Sequence, residues 1–179
     1  EDSHFSLALR FAEIARSAVT RPLRAPSSER NSSKIRVGFV SGDFRNHSVG
    51  FFLEAVLSHI DQSIFELVAY PTNSHEDDLT RRIKTNFRSW RPLYGISDEE
   101  AAQRICNDGI DILYDLSGHT QFNRLSVFSW RPAPVQVTWL GYFGTTGMRE
   151  VDYILGDPIV TPMSEEKQFV EKVFRLPET

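Results

Sequence analysis

The chain has 179 residues, 40% of them hydrophobic and 25% charged, a balance that suits one soluble globular domain and excludes disordered and collagen-like classes. A net charge of −4 provides no electrostatic footprint for a phosphate backbone, so nucleic acid is not an expected partner. The single cysteine, Cys106, excludes a disulfide framework or a cysteine metal site and fits a reducing cytosol; no apolar run could cross a bilayer, so no membrane partner and a cytoplasmic location are expected.

Residues 5–19 place Phe5, Ala8, Leu9, Ala12, Ala15 and Val19 at helical spacing with Arg10, Glu13, Arg16 and Ser17 turned outward, which predicts one amphipathic helix. The following stretch to Ser33 is rich in proline and small polar residues and reads as a linker. Residues 1–33 therefore form an N-terminal helix and linker, and residues 34–179 a separate domain. Both chain ends read as cut points in a longer polypeptide.

From Lys34 onward, short apolar runs alternate with helical stretches. The runs are Ile35–Val40, Phe65–Tyr70, Ile110–Asp115, Val135–Leu140 and Tyr153–Leu155, with weaker strands at Trp90–Tyr94 and Val173–Leu176. Several are apolar at nearly every position, as strands covered on both faces are, and the spacings leave room for helical crossovers. Leu79, Ile83 and Phe87 mark one intervening helix. Ser97-Asp98-Glu99-Glu100 is a capping box that opens another, which buries Ala102, Ile105 and Cys106 and stops at Asp108-Gly109. The expected fold is α/β, a Rossmann-like parallel sheet with helices on both faces.

Open α/β sheets bind ligands outside the carboxyl ends of their strands, so the loops that follow strands are where chemistry is sought. After the first strand, Ser41-Gly42-Asp43-Phe44-Arg45-Asn46-His47-Ser48-Val49-Gly50 puts a carboxylate and an imidazole four residues apart on a strand-to-helix turn. They could face one crevice, with helix-start N–H groups available for an anion; equally, Asp43 and Asn46 could only cap and turn the chain. After the strand ending at Asp115, His119, Gln121 and Arg124 could contact a substrate, with Arg124 suited to a phosphate or carboxylate; the alternative is that Asn123 caps a helix and His119 lies free on the loop. After Leu140, the glycines Gly141, Gly144 and Gly147 permit close approach of a ligand to the backbone, and Thr145 and Thr146 add hydroxyls; a tight turn is the plainer use. Arg131-Pro132-Ala133-Pro134 is assigned to structure. No D-x-D pair, zinc-ligand spacing or G-x-S-x-G elbow occurs, so neither a metal nor a hydrolase nucleophile is expected.

The string Ile35–His47, the run Arg131–Gln136, Trp139–Gly147 and the later Val151–Ile154 with Asp157 together resemble the N-terminal catalytic lobe of protein O-GlcNAc transferases and their SPINDLY-like relatives. The resemblance covers nearly the whole chain from Lys34. It implies one lobe of a GT-B glycosyltransferase, preceded by a helix and by tetratricopeptide repeats and completed by a second Rossmann-like lobe. It implies an inverting, metal-independent enzyme that moves N-acetylglucosamine from UDP-GlcNAc, a substrate and not a cofactor, to Ser or Thr of acceptor proteins. On this resemblance Asp43 and His47 are base or relay candidates in the cleft, His4 matches a further active-site histidine, and Leu140 and Gly141 line the sugar pocket. Val49 stands where the animal enzymes carry a pocket-lining threonine, Ser48 replaces a frequent proline, and His119 and Gln121 replace a tyrosine and a lysine, while Arg124 matches a basic residue of its loop. Substrate contact is expected from Val49, His119, Arg124, Leu140, Gly141, Gly144 and Thr145. The competing readings are a lobe of a GDP-fucose-using O-fucosyltransferase and a non-catalytic α/β binding module.

Overall fold

A computed structural model describes residues 3–23 and 33–177. The elements in chain order are α1 (Ser3–Ser17), β1 (Ile35–Ser41), α2 (Ser48–Leu57), β2 (Phe65–Pro71), α3 (Asp78–Lys84), β3 (Ser89–Trp90) and α4 (Asp98–Asp108), followed by β4 (Ile112–Asp115), α5 (Leu125–Phe128), β5 (Val135–Trp139), β6 (Tyr153–Gly156), a 3-10 turn (Met163–Gln168) and β7 (Lys172–Arg175). The linker expectation falls mostly on residues 24–32, and the C-terminal cut point on 178–179; both lie outside the described residues.

The seven strands form one parallel sheet in the order β3-β2-β1-β4-β5-β6-β7. The chain builds outward from β1 to β3, then returns to lay β4 on β1's other side. Strand order thus reverses between β1 and β4, and the crevice beyond their carboxyl ends is where such sheets bind ligands.

Period-two alternation sends the strand side chains into two cores. On one face Val40, Val68, Tyr70 and Leu113 pack against Ala101, Ala102 and Ile105 of α4, Leu125, Val127 and Phe128 of α5, and Ala12 of α1. On the other, Val37, Phe39, Leu67 and Ala69 meet Val49, Leu53 and Leu57 of α2 and Leu79 and Ile83 of α3. The Rossmann-like reading, with helices on both faces, holds. The second layer is shorter than the first, however: beyond α2, the face formed by Tyr114, Val137, Tyr153, Leu155 and Phe174 is an open apolar groove.

The capping box at Ser97 forms in both directions, with Ser97 Oγ accepting from Glu100 N and Glu100 Oε2 accepting from Ser97 N. The stripe ending at Phe87 is realised differently. The helix stops at Lys84, and Phe87 enters the core from the turn, edge-on to Phe39, Phe44 and Trp90. The strand expected over Trp90–Tyr94 pairs as a ladder only at Ser89–Trp90, although Leu93 N still reaches Pro71 O at 2.8 Å. Helix α1 is docked: the backbone at Ala8 lies so close to Gly147 that a β-carbon there would collide with it, and Arg16 forks onto Glu150.

Two buried carboxylates fix the loops that follow β4 and β5. Asp115, fully buried at the tip of β4, accepts from Ser117 N at 3.1 Å, Gly118 N at 2.8 Å and Thr138 Oγ1 at 2.8 Å. Thr138 is its register partner on β5. Burial pushes the Asp115 carboxyl above the usual carboxylate range, and the three donors oppose that shift. Glu171, also buried, accepts from Thr145 Oγ1 at 2.6 Å, Thr146 N at 2.7 Å and Thr146 Oγ1, tying the loop after β5 to the start of β7.

Asp115→Asn tests the first of these anchors. An amide has one accepting oxygen, so either Ser117 N or Gly118 N must face an NH2 group; urea denaturation should show a loss of about 2 kcal/mol. A loss below about 0.5 kcal/mol would contradict the anchoring role.

Candidate functional site

The loop from Ser41 to His47 leaves β1 with its backbone fixed at both ends. Ser41 Oγ accepts from Asp43 N at 2.9 Å, and Asp77 Oδ2, at the cap of α3, accepts from Asn46 N at 2.6 Å. Gly50 makes the fit possible, because a β-carbon there would collide with the Arg45 carbonyl and stand 3.0 Å from that of Asp43. The loop is thereby pressed onto the first turn of α2.

Asp43 is buried, with Arg45 Nη2 donating to Oδ1 at 3.0 Å and His47 Nδ1 3.7 Å from Oδ2. His47, two-fifths exposed, caps α2: its Nδ1 accepts from Val49 N at 3.3 Å. Capping at this turn therefore falls to His47, and the alternative use of Asp43 and Asn46 as caps is not realised. Val49 itself is buried in the core beneath the loop.

The loop after β5 begins with a γ-turn. Gly141 N donates to Trp139 O at 2.9 Å across Leu140, which is held at φ 74° although it carries a branched side chain. A non-glycine residue in that region stores about 1–3 kcal/mol and persists only where its surroundings impose it. Here the imposing neighbour is the loop after β4, since a β-carbon at Gly141 would collide with the Leu116 carbonyl. Leu116 packs with Phe44 and Val49 in the second core, and Leu140 packs against that cluster from its edge. The loops after β1, β4 and β5 thus meet at the reversal of strand order.

Phe122, held at φ 62°, binds the second loop to the first. Its β-carbon would lie 2.6 Å from one placed at Gly42, and its carbonyl accepts from Thr72 Oγ1 at 2.6 Å. His119 is not a free loop residue. Its ring is edge-on to both Phe11 of α1 and Tyr142, and its Nε2 lies 3.0 Å from Thr146 O.

The remaining sequence candidates divide. His4 is exposed near the start of α1, one turn before Ala8, whose backbone lies against Gly147. Gly144 sits against the Tyr142 ring. Arg124 is committed elsewhere: Nε donates to Asp98 at 2.7 Å, and its other donors go to Leu93 O at 2.7 Å and Ile96 O at 3.2 Å. Arg124 thereby fastens the entry of α4. Thr145 donates to Glu171 and accepts from Gly147 N and Val170 N, so its hydroxyl serves the loop's own structure. Asn123 Oδ1 accepts from Leu125 N at 3.3 Å, but the N-cap of α5 is Arg124, so the alternative of Asn123 as the cap is not realised.

Three residues that shape these loops are not among the candidates named from the sequence. Arg45 pairs with Asp43, Asp115 organises the second loop, and Glu171 organises the third. A carboxylate ending a buried strand was the visible clue to Asp115. Arg45 was visible only as part of a loop, and Glu171 lies 25 residues from its nearest loop partner.

Residues 4–179 match the model of glycosyl transferase family 41. The chain is 40% identical over 147 residues to a probable UDP-N-acetylglucosamine--peptide N-acetylglucosaminyltransferase SPINDLY of Oryza sativa, covering 80% of this chain and 16% of that protein. It is 34% identical over 163 residues to a UDP-N-acetylglucosamine--peptide N-acetylglucosaminyltransferase of Caenorhabditis elegans, covering 85% of this chain and 13% of that one. A solved O-GlcNAc transferase mutant of Thermobaculum terrenum superposes with a TM-score of 0.87 at 38% identity, over 96% of this chain and 33% of its own. The chain spans a small part of the curated relatives it matches, and that part is the lobe whose three loops meet at the sheet's reversal. With its family model, relatives and fold in agreement, the chain belongs to glycosyl transferase family 41.

Proposed function

We propose that the chain is the acceptor-side lobe of an inverting, metal-independent protein O-GlcNAc transferase. The observation that carries this reading is the meeting of the Asp43–His47 loop with the Leu140–Gly141 turn at the crevice of the sheet, in a chain of family 41. A second Rossmann-like lobe elsewhere in the polypeptide would hold the nucleotide, and tetratricopeptide helices would present acceptor proteins. The single cysteine, buried on α4, fits a cytoplasmic setting.

In the proposed reaction a Ser or Thr hydroxyl of the acceptor attacks the anomeric carbon of UDP-GlcNAc. The new C–O bond forms on one face of the sugar while the bond to the diphosphate breaks on the other; UDP departs, and the hydroxyl proton leaves with solvent or UDP. This lobe contributes orientation. His47 stands half-exposed at the helix start with a ring nitrogen free to meet an acceptor or sugar oxygen, and the Asp43 carboxylate lies behind it. The Leu140–Gly141 turn is a rigid wall because its backbone is locked against Leu116.

In the full-length transferase His47→Ala should lower turnover roughly 100-fold, the cost typical of losing one positioned donor, with the protein still folded. Unchanged glycosylation of acceptor proteins would favour a non-catalytic binding module. Assaying UDP-GlcNAc beside GDP-fucose in the same preparation separates the two sugar donors, and turnover with GDP-fucose alone would replace the GlcNAc reading. Gly141→Ala should raise KM for the sugar nucleotide and cost about 2 kcal/mol of stability, since the added methyl must displace the Leu116 carbonyl. Wild-type KM and stability together would show that this turn does not form the sugar wall.

A further inference from the structure

The Asp43 carboxylate has two neighbours and serves them unequally. Arg45 Nη2 donates to Oδ1 at 3.0 Å, a charge-assisted hydrogen bond of ordinary length. His47 Nδ1 stands 3.7 Å from Oδ2, beyond hydrogen-bond reach, and is occupied otherwise as the acceptor of Val49 N–H at the start of α2. A ring nitrogen that accepts carries no proton, so the neutral imidazole in this arrangement holds its proton on Nε2. Capping and relay are exclusive uses of Nδ1. The cap needs its lone pair, whereas a relay needs a proton there to donate to Asp43.

The backbone around these three side chains leaves little freedom. Ser41 Oγ and Asp77 Oδ2 hold the N–H groups of Asp43 and Asn46, and Gly50 keeps the Arg45 carbonyl against α2. Asp77, the charged group facing the loop from α3, spends its oxygens on Asn46 N and the cap of its own helix, with His75 3.9 Å away. The contest for Asp43 is therefore local, between Arg45 and His47.

We propose that Arg45 is a positioning residue. By holding Oδ1 it keeps the carboxylate from His47, so that Nδ1 stays with the helix cap and the ring offers Nε2–H to the cleft as a hydrogen-bond donor. This rests on the reading of His47 as a cleft residue of the transferase. It assigns the ring the task of orienting an acceptor or sugar oxygen; the ring removes no proton.

Nitrogen-15 spectra of the histidine-labelled chain in alkaline buffer report which ring nitrogen bears the proton, with the His47 signal identified by its loss in His47→Gln. The wild type should be Nε2-protonated, and Asp43→Asn should remain so, because the cap and not the carboxylate sets the tautomer. Arg45→Met should move the ring towards Nδ1-protonation, and Arg45→Lys should restore the wild-type spectrum. An Nδ1-protonated wild type, or an Arg45→Met spectrum identical to it, overturns the proposal. In the full-length transferase His47→Gln and His47→Ala both lose the cap, but only glutamine keeps an N–H near the place of Nε2. Glutamine should retain roughly tenfold more turnover; equal losses would overturn the donor role. A wild type without transferase activity would instead sink the underlying functional reading and leave the tautomer result standing.

Discussion

The loops after β4 and β5 depend on two buried carboxylates, one at the tip of β4 and one at the start of β7. Loops lack the repeating hydrogen bonds of helices and sheets, so their backbone groups must find partners one by one. Asp115 supplies three acceptor contacts from the tip of β4, one of them to its register partner on β5, and Glu171 does the same for the loop after β5. A desolvated carboxylate is costly unless donors surround it, and this requirement makes each anchor specific: the loop must adopt the one path that brings its donors to the oxygens.

The same reasoning separates what could be read from residues alone. β1, β2 and β5 were legible because their apolar, β-branched runs obey the requirement for strands buried on both faces, and α4 because its capping box is a local signal. The three loops after β1, β4 and β5 were legible as the places where such a sheet takes a ligand. Relations set by register were not. That Asp115 lies beside Thr138 follows from how β4 and β5 align, and that Glu171 reaches Thr145 follows from where β7 joins the sheet. Nor did the chain order show that Arg45 would take Asp43 while His47 took the helix cap, since all three types suit several partners at that spacing.

His119, Val49 and Arg124 are each fixed by the neighbours that tertiary packing brings to them. His119 offers ring edges to Phe11 and Tyr142 and a nitrogen to Thr146 O, and so completes the contact between α1 and the loop after β5. Val49 is packed in the core, and its contribution at the surface is its backbone N–H. Arg124 reads as basic from sequence and spends that charge on Asp98 and two carbonyls at the entry of α4. In each case the side chain's character was plain and its destination was decided by tertiary packing.

The order in which the sheet is assembled has a bearing on how the polypeptide is made. β1 is an interior strand, yet its neighbour β4 lies roughly 70 residues further along. At ribosomal rates of about 5–20 residues per second, one edge of this apolar strand waits roughly 4–14 s for its partner to be synthesised. During that interval the nascent chain carries an open strand edge, so the reversal of strand order delays the pairing of β1 with β4.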